Sequence, residues 1–209
     1  MPFQIFSISL ETACGVIVFF PFLLLWQLWR RKEQTGWHRL FVFIFAAYLA
    51  AVFSVTGTPD FRIWMKIPDP SINCIPFAAL LNNPLQYALN ILLFLPAGLL
   101  LPMVWPYFRK VQRTALFGFC LSLWIELGQL LTFRTTDIDD LTANTAGAVL
   151  GFALWRLIAR RFRTRAGQQT KKADLIELFL TFFCVCLSMF FLQPLLSNCV
   201  WNLLYNDAV

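Results

Sequence analysis

The sequence predicts an all-α polytopic membrane protein with about six transmembrane helices. Three observations lead there. Of 209 residues, 59% are hydrophobic and 13% charged, about half the charged share of a soluble domain. The apolar residues gather in windows close to the roughly 20 residues a helix needs to span hydrocarbon. The basic residues sit in alternate loops between those windows.

The windows fall at 10–29, 40–57, 86–105, 114–133, 142–159 and 175–196. The first is longer than the roughly 7–15-residue core of a signal peptide and has no basic leader, so it reads as a retained helix. Between the second and third lies residues 58–85, with Ile63-Trp64-Met65 and Ile75 to Leu81. That stretch is too apolar for a plain loop and is expected to lie in the interface or re-enter the membrane. Pro96 and Pro102 interrupt the third window, and Pro194 lies near the end of the sixth. Membrane helices accommodate such breaks where neighbours satisfy the freed backbone groups. The expected organisation is a two-helix region over 1–71, a core over 72–159, and a basic linker with a last transmembrane helix over 160–209.

Charge sets the expected direction. The first loop holds Arg30, Arg31, Lys32 and Arg39, and the third holds Arg109, Lys110 and Arg113. The fifth holds Arg160, Arg161, Arg163, Arg165, Lys171 and Lys172, whereas the second and fourth hold only Arg62, Lys66 and Arg134. Positive loops stay in the cytoplasm, so both termini are expected outside, with loops two and four. The formal charge of +6 is thus explained by orientation, and no nucleic-acid partner is expected. Six cysteines include no CxxC pair, and those in apolar windows read as small hydrophobes. His38 has no ligand set or triad partner around it. No phosphate-binding, dinucleotide or zinc-protease motif is present.

The chemistry concentrates in Glu126-Leu-Gly-Gln129 and in Arg134-Thr-Thr-Asp137-Ile-Asp139-Asp140-Leu-Thr-Ala-Asn144. An ionisable residue at membrane depth is a functional candidate by default. Glu126 would lie about 10 Å below the outer surface if its helix emerged near Phe133. Gln129 shares its face. A polar group of a neighbouring span, such as Asn90, is its expected partner. Asp137, Asp139 and Asp140 precede an apolar run, where acids favour the exposed amides of a helix start. One of them, Asp137 or Asp139, is expected to be a cap. Three carboxylates in four positions exceed one cap and call for a compensating cation. Arg134 supplies part of that, and a divalent cation bound by Asp137, Asp139 and Asp140 is the candidate for the rest. Asn144 lies one turn inside the helix. Ala143, Gly147 and Gly151 form a small-residue packing stripe. Asn73 and Asn90 offer amides toward the same outer face.

Taken together, Asn90-Ile-Leu-Leu-Phe-Leu-Pro96-Ala-Gly98, Ser122-Leu-Trp-Ile-Glu126-Leu-Gly-Gln129, Arg134-Thr-Thr-Asp137-Ile-Asp139-Asp140-Leu and Asn144-Thr-Ala-Gly147 resemble the VanZ-like membrane family. Asn73, Pro76 and Phe77 resemble its Asn-x-x-Pro-Phe element. The resemblance covers roughly residues 72–157. It implies family polar positions at Asn90, Glu126, Gln129, Arg134, Asp137, Asp139, Asp140 and Asn144. It also implies a cell-envelope role at the outer face of a bacterial inner membrane, in a family named for a teicoplanin-resistance protein. Three functions compete. In the first, Asn73, Asn90, Gln129, Arg134, Asp137 and Asn144 bind an envelope lipid, peptidoglycan precursor or glycopeptide-related ligand. The second is an enzyme on such a lipid, with Glu126, Asp139 and Asp140 catalytic. The third is a transporter or scaffold. Membrane lipids are partners in each.

Overall fold

The computed structural model describes residues 2–30, 35–57, 61, 72–73, 83–130, 136–162 and 171–206. In order these form α1 (Pro2–Trp29), α2 (Gly36–Thr56), β1 (Ile72–Asn73), α3 (Pro84–Val104), α4 (Val111–Leu130), β2 (Thr136–Asp137), α5 (Ile138–Phe162), α6 (Lys171–Leu187) and α7 (Gln193–Asn206). A 3₁₀ turn, Pro106–Phe108, joins α3 to α4. A π-helical turn, Ser188–Leu192, makes α6 and α7 one continuous helical run. Among the described residues the protein is all-α apart from a two-residue ladder. Among the described residues five stretches are long and apolar enough to cross a membrane: Phe3–Trp29, Gly36–Thr56, Pro84–Val104, Ile138–Ala159 and Lys172–Leu204. The expected interfacial or re-entrant segment at 58–85 falls mostly outside the described residues.

The α4 helix differs from the expected span at 114–133. It runs from Val111 to Leu130 and is not among the five. Its residues explain why. Thr114, Ser122, Glu126 and Gln129 are buried, whereas Leu116, Trp124 and Leu127 are 62%, 50% and 52% exposed. The buried face carries these polar groups beside Leu121 and Ile125, and the exposed face is largely apolar, unlike a soluble amphipathic helix. That inward polarity lowers the average hydropathy of a helix whose outer surface is apolar.

Contacts divide the chain into two compact units, Met1–Ile67 with Phe179–Val209, and Pro68–Leu178. In the first, α2 is capped at both ends. Thr35 accepts the His38 N–H at 3.2 Å, and Gly57 takes the left-handed conformation (φ 70°) that favours glycine. α1 runs antiparallel to the last helical stretch, with Phe3 and Phe6 against Trp201 and Gly15 against Met189. Pro194 has no N–H to give and its ring crowds the carbonyl four residues back. The π-helical turn lies over that carbonyl, which belongs to Phe190, and absorbs the mismatch.

In the second unit α3, α4 and α5 pack together. Asn83 caps α3 by accepting the Gln86 N–H at 3.3 Å, with Pro84 at the first helical position. α3 and α5 make the closest pair. A side chain on Gly98 would overlap the Ala148 carbonyl oxygen, one on Gly147 that of Ile91, and one on Gly151 that of Leu95. The small-residue stripe of α5 is therefore a packing seam. Gly118 does the same for α4, where a Cβ would strike that of Ala148.

Gly98→Ala and Gly151→Ala should each destabilise the protein by about 1–3 kcal/mol through overpacking, read from unfolding of the purified protein in mixed micelles. Gly36→Ala, whose Cβ would approach only the Arg39 guanidinium at 4.0 Å, should leave the midpoint unchanged.

Candidate functional site

Since Gly147 and Gly151 meet Ile91 and Leu95 in the same order, α3 and α5 run parallel. α4 runs against them. The first turns of α3 and α5 and the last turns of α4 therefore share one end of the unit. Asn90, Glu126, Gln129, Asp139, Asp140 and Asn144 all lie in those turns. Five of them are buried, Asp139 at 1% exposure and Glu126 at 4%. Only Asp140 is half-buried.

Side-chain hydrogen bonds tie the three helices. Asn90 Nδ2 donates to Asp140 Oδ1, and Gln86 Nε2 donates to Asn90 Oδ1 at 3.3 Å. Asn144 Nδ2 donates to the Ser122 hydroxyl at 2.9 Å. Tyr87 and Thr142 add a hydroxyl pair at 3.4 Å. The expected pairing of Glu126 with Asn90 is not what forms: the parallel α3–α5 register sets Asn90 beside the start of α5. Asn144 Oδ1 is buried and accepts no bond among the described residues. That oxygen lies at the same end of the unit as Glu126.

The acids separate. Asp139 and Asp140 are consecutive helix residues, so their side chains diverge by about 100°. Asp139 turns inward and Asp140 toward Asn90. Among the described residues no group of three His, Cys, Asp or Glu could hold a metal ion. The Asp137 side chain and all of Arg134 lie outside the described residues. Backbone pairing nevertheless brings two expected site positions together. β1 and β2 are parallel, with Ile72 opposite Thr136 and Asn73 opposite Asp137. The segment before α3 is thus joined to the residue that enters α5.

Sequence reasoning passed over Ser122, Tyr87 and Thr142. Ser122 was legible as the residue one turn before Glu126 on the same helix face. It also passed over a second polar group at the other end of this unit. There Glu177, fully buried, accepts the Trp105 indole N–H at 3.1 Å. Asp174 accepts the Tyr107 backbone N–H at 2.9 Å. Arg113 donates to the Tyr107 carbonyl at 2.8 Å and stacks 4.1 Å from its ring. Burial pushes the Arg109 guanidinium below its ordinary range, and the nearby Asp174 charge opposes that shift. The depth argument that singles out Glu126 applies equally to Glu177.

A model of the VanZ/LLP1 family matches residues 45–159. The chain belongs to the VanZ/LLP1 family. It is 30% identical over 133 residues to "Protein VanZ" of Enterococcus faecium, covering 62% of this chain and 76% of that protein. No solved structure matches. The VanZ/LLP1 match contains every candidate from Asn73 to Asn144. Asp174 and Glu177 lie beyond it, yet they fall in the same compact unit.

The two polar groups should respond differently to substitution. Ser122→Ala removes one interhelical bond and should cost about 0.6 kcal/mol, the average for such bonds in a membrane protein. Glu177→Leu leaves the Trp105 N–H buried without its acceptor and should cost about 1–3 kcal/mol. Glu177→Gln keeps an acceptor oxygen and should recover most of that loss in the same unfolding assay.

Proposed function

We propose that this VanZ/LLP1 protein binds the polar part of an envelope lipid or glycopeptide-related molecule. The ligand sits at the end of the second unit where α3 and α5 begin and α4 ends. The observation that carries the reading is the burial of Glu126, Gln129, Asp139 and Asn144 together beneath an apolar outer surface. Such a set is costly in a membrane protein unless it meets a ligand, water or its own members. Charge bias supports an orientation with this end outside the cytoplasm, where the peptide and sugar portions of cell-wall precursors are displayed.

Glu126 supplies a carboxylate acceptor for ligand hydroxyl or amide hydrogens, and the open Asn144 amide atom supplies a second polar contact. Arg134, from the segment between α4 and β2, meets phosphate or carboxylate by charge-assisted bonds. The family's link to teicoplanin, which the sequence resemblance implies, directs attention to peptidoglycan precursors as the first ligands to try. An enzyme on the same lipid would use Glu126 as acid or base, and one assay separates the two.

Glutamine at 126 keeps size and hydrogen-bonding capacity but cannot ionise. Glu126→Gln is therefore expected to insert and fold like the wild type and to lose ligand binding. The measurement is binding and turnover of purified envelope lipids at matched folded amounts. Loss of turnover with binding retained would assign an enzyme. Unchanged binding and turnover would remove Glu126 from the site.

Orientation has its own test. In a cysteine-free background, a cysteine at Thr136 should react with an impermeant maleimide on intact spheroplasts, and one at Lys110 should not. The opposite pattern would move the site to the cytoplasmic side.

A further inference from the structure

The first unit contains a groove of about 560 Å³ built from residues outside the polar site. α1 supplies Phe22, Leu23 and Trp26, and the α6–π-turn stretch supplies Phe183, Leu187 and Phe191. Its size lies within the roughly 300–1,000 Å³ of ligand sites. Both walls belong to stretches apolar enough to cross a membrane, so a hydrocarbon chain is the occupant that matches the lining. The π-helical turn Ser188–Leu192 forms part of one wall, and such turns often mark functional positions.

The groove has a polar limit at its α1 end. Trp26 is followed one turn later by Arg30, whose guanidinium lies 5.8 Å from the centre of the Trp26 ring. Trp29 stands 5.3 Å from Trp26. Paired tryptophans followed by arginine are what the headgroup level of a membrane selects. Arg31 and Lys32 come next in the chain. The Trp26 indole N–H is buried and has no acceptor among the described residues. A buried indole N–H normally has one.

We propose that this groove is a specific site for one anionic phospholipid. An acyl chain lies against Phe22, Phe183 and Leu187, and the phosphate meets Arg30. Arginine suits phosphate through its fixed fork of donors. The lipid chemistry here differs from that of the polar site: hydrocarbon and a negative headgroup, with no sugar or peptide.

The test is native mass spectrometry of the full chain released from micelles containing equal phosphatidylglycerol and phosphatidylcholine of the same chain length. One phosphatidylglycerol should be retained over phosphatidylcholine by about fivefold, the effect expected of one basic residue at an anionic surface. Arg30→Gln should equalise the two lipids while leaving some adduct. Leu187→Trp fills the groove from a position already 42% exposed and should remove the adduct of both. A second readout does not depend on either variant. Phosphatidylglycerol with brominated chains should quench the Trp26 emission, taken as the difference between wild type and Trp26→Phe, at lower mole fraction than brominated phosphatidylcholine. Equal retention of the two lipids by the wild type, or equal quenching by them, would overturn the site. So would an adduct unchanged by both substitutions.

Discussion

Where Gly98, Gly147 and Gly151 meet the carbonyls of Ala148, Ile91 and Leu95, α3 and α5 approach until main chain touches main chain. In a membrane the helices gain little from hiding apolar surface, because lipid is as apolar as they are. Close van der Waals contact and interhelical hydrogen bonds hold them instead. Glycine permits both, and its α-hydrogens can point at the opposing carbonyls as weak donors. This contact fixes the parallel register of α3 and α5. The register sets Asn90 beside Asp140 and Tyr87 beside Thr142. α4 then lies across the pair through Gly118 and Ser122, which carries Glu126 and Gln129 to the same end. A bulkier residue at any of these glycines would separate the helices and the polar groups with them.

The division of labour along α4 follows from the same solvent. Leu116, Leu123, Leu127 and Trp124 face outward, and Ser122, Glu126 and Gln129 are buried in the unit. A polar side chain on the outer face of a membrane helix costs more than one bonded to a neighbour. Once α3 and α5 provide amides and carboxylates, the inward direction is favoured. The unit's other end is organised by the same rule, with Glu177 and Asp174 holding Trp105 and the Tyr107 amide. The segment that follows the VanZ/LLP1 match therefore contributes directly to the packing of the unit that contains most of it.

Much of this was legible in the residues. Apolar windows gave the helices to within a few residues at their better-marked ends, and the spacing of Ala143, Gly147 and Gly151 gave the packing face of α5. Glu126 stood out because a carboxylate in an apolar run needs a reason. Less was legible where pattern carries no information. A two-residue ladder has too little alternation to be read from sequence, so the pairing of Asn73 with Asp137 appeared only in three dimensions. The partner of Asn90 depends on helix register, which glycine contacts fix and hydropathy does not report. The span expected at 114–133 was right as a helix, but its polarity faces inward, and only packing shows that. Pro194 signalled a break near the end of the last window, whereas the π-helical turn lets the helix continue past it to Asn206.

On the proposed reading, the end of the unit where Asn90, Glu126 and Asn144 gather meets a polar envelope molecule. Photo-crosslinking in living cells tests this. A photoreactive residue replacing Thr142, exposed beside the cluster, is compared with one replacing Leu154, exposed further along α5. The Thr142 position should capture a lipid carrying sugar or peptide that the Leu154 position does not, and Glu126→Gln should abolish that capture. Capture of the same bulk phospholipids at both positions, unchanged by Glu126→Gln, would rule out a polar ligand at this end.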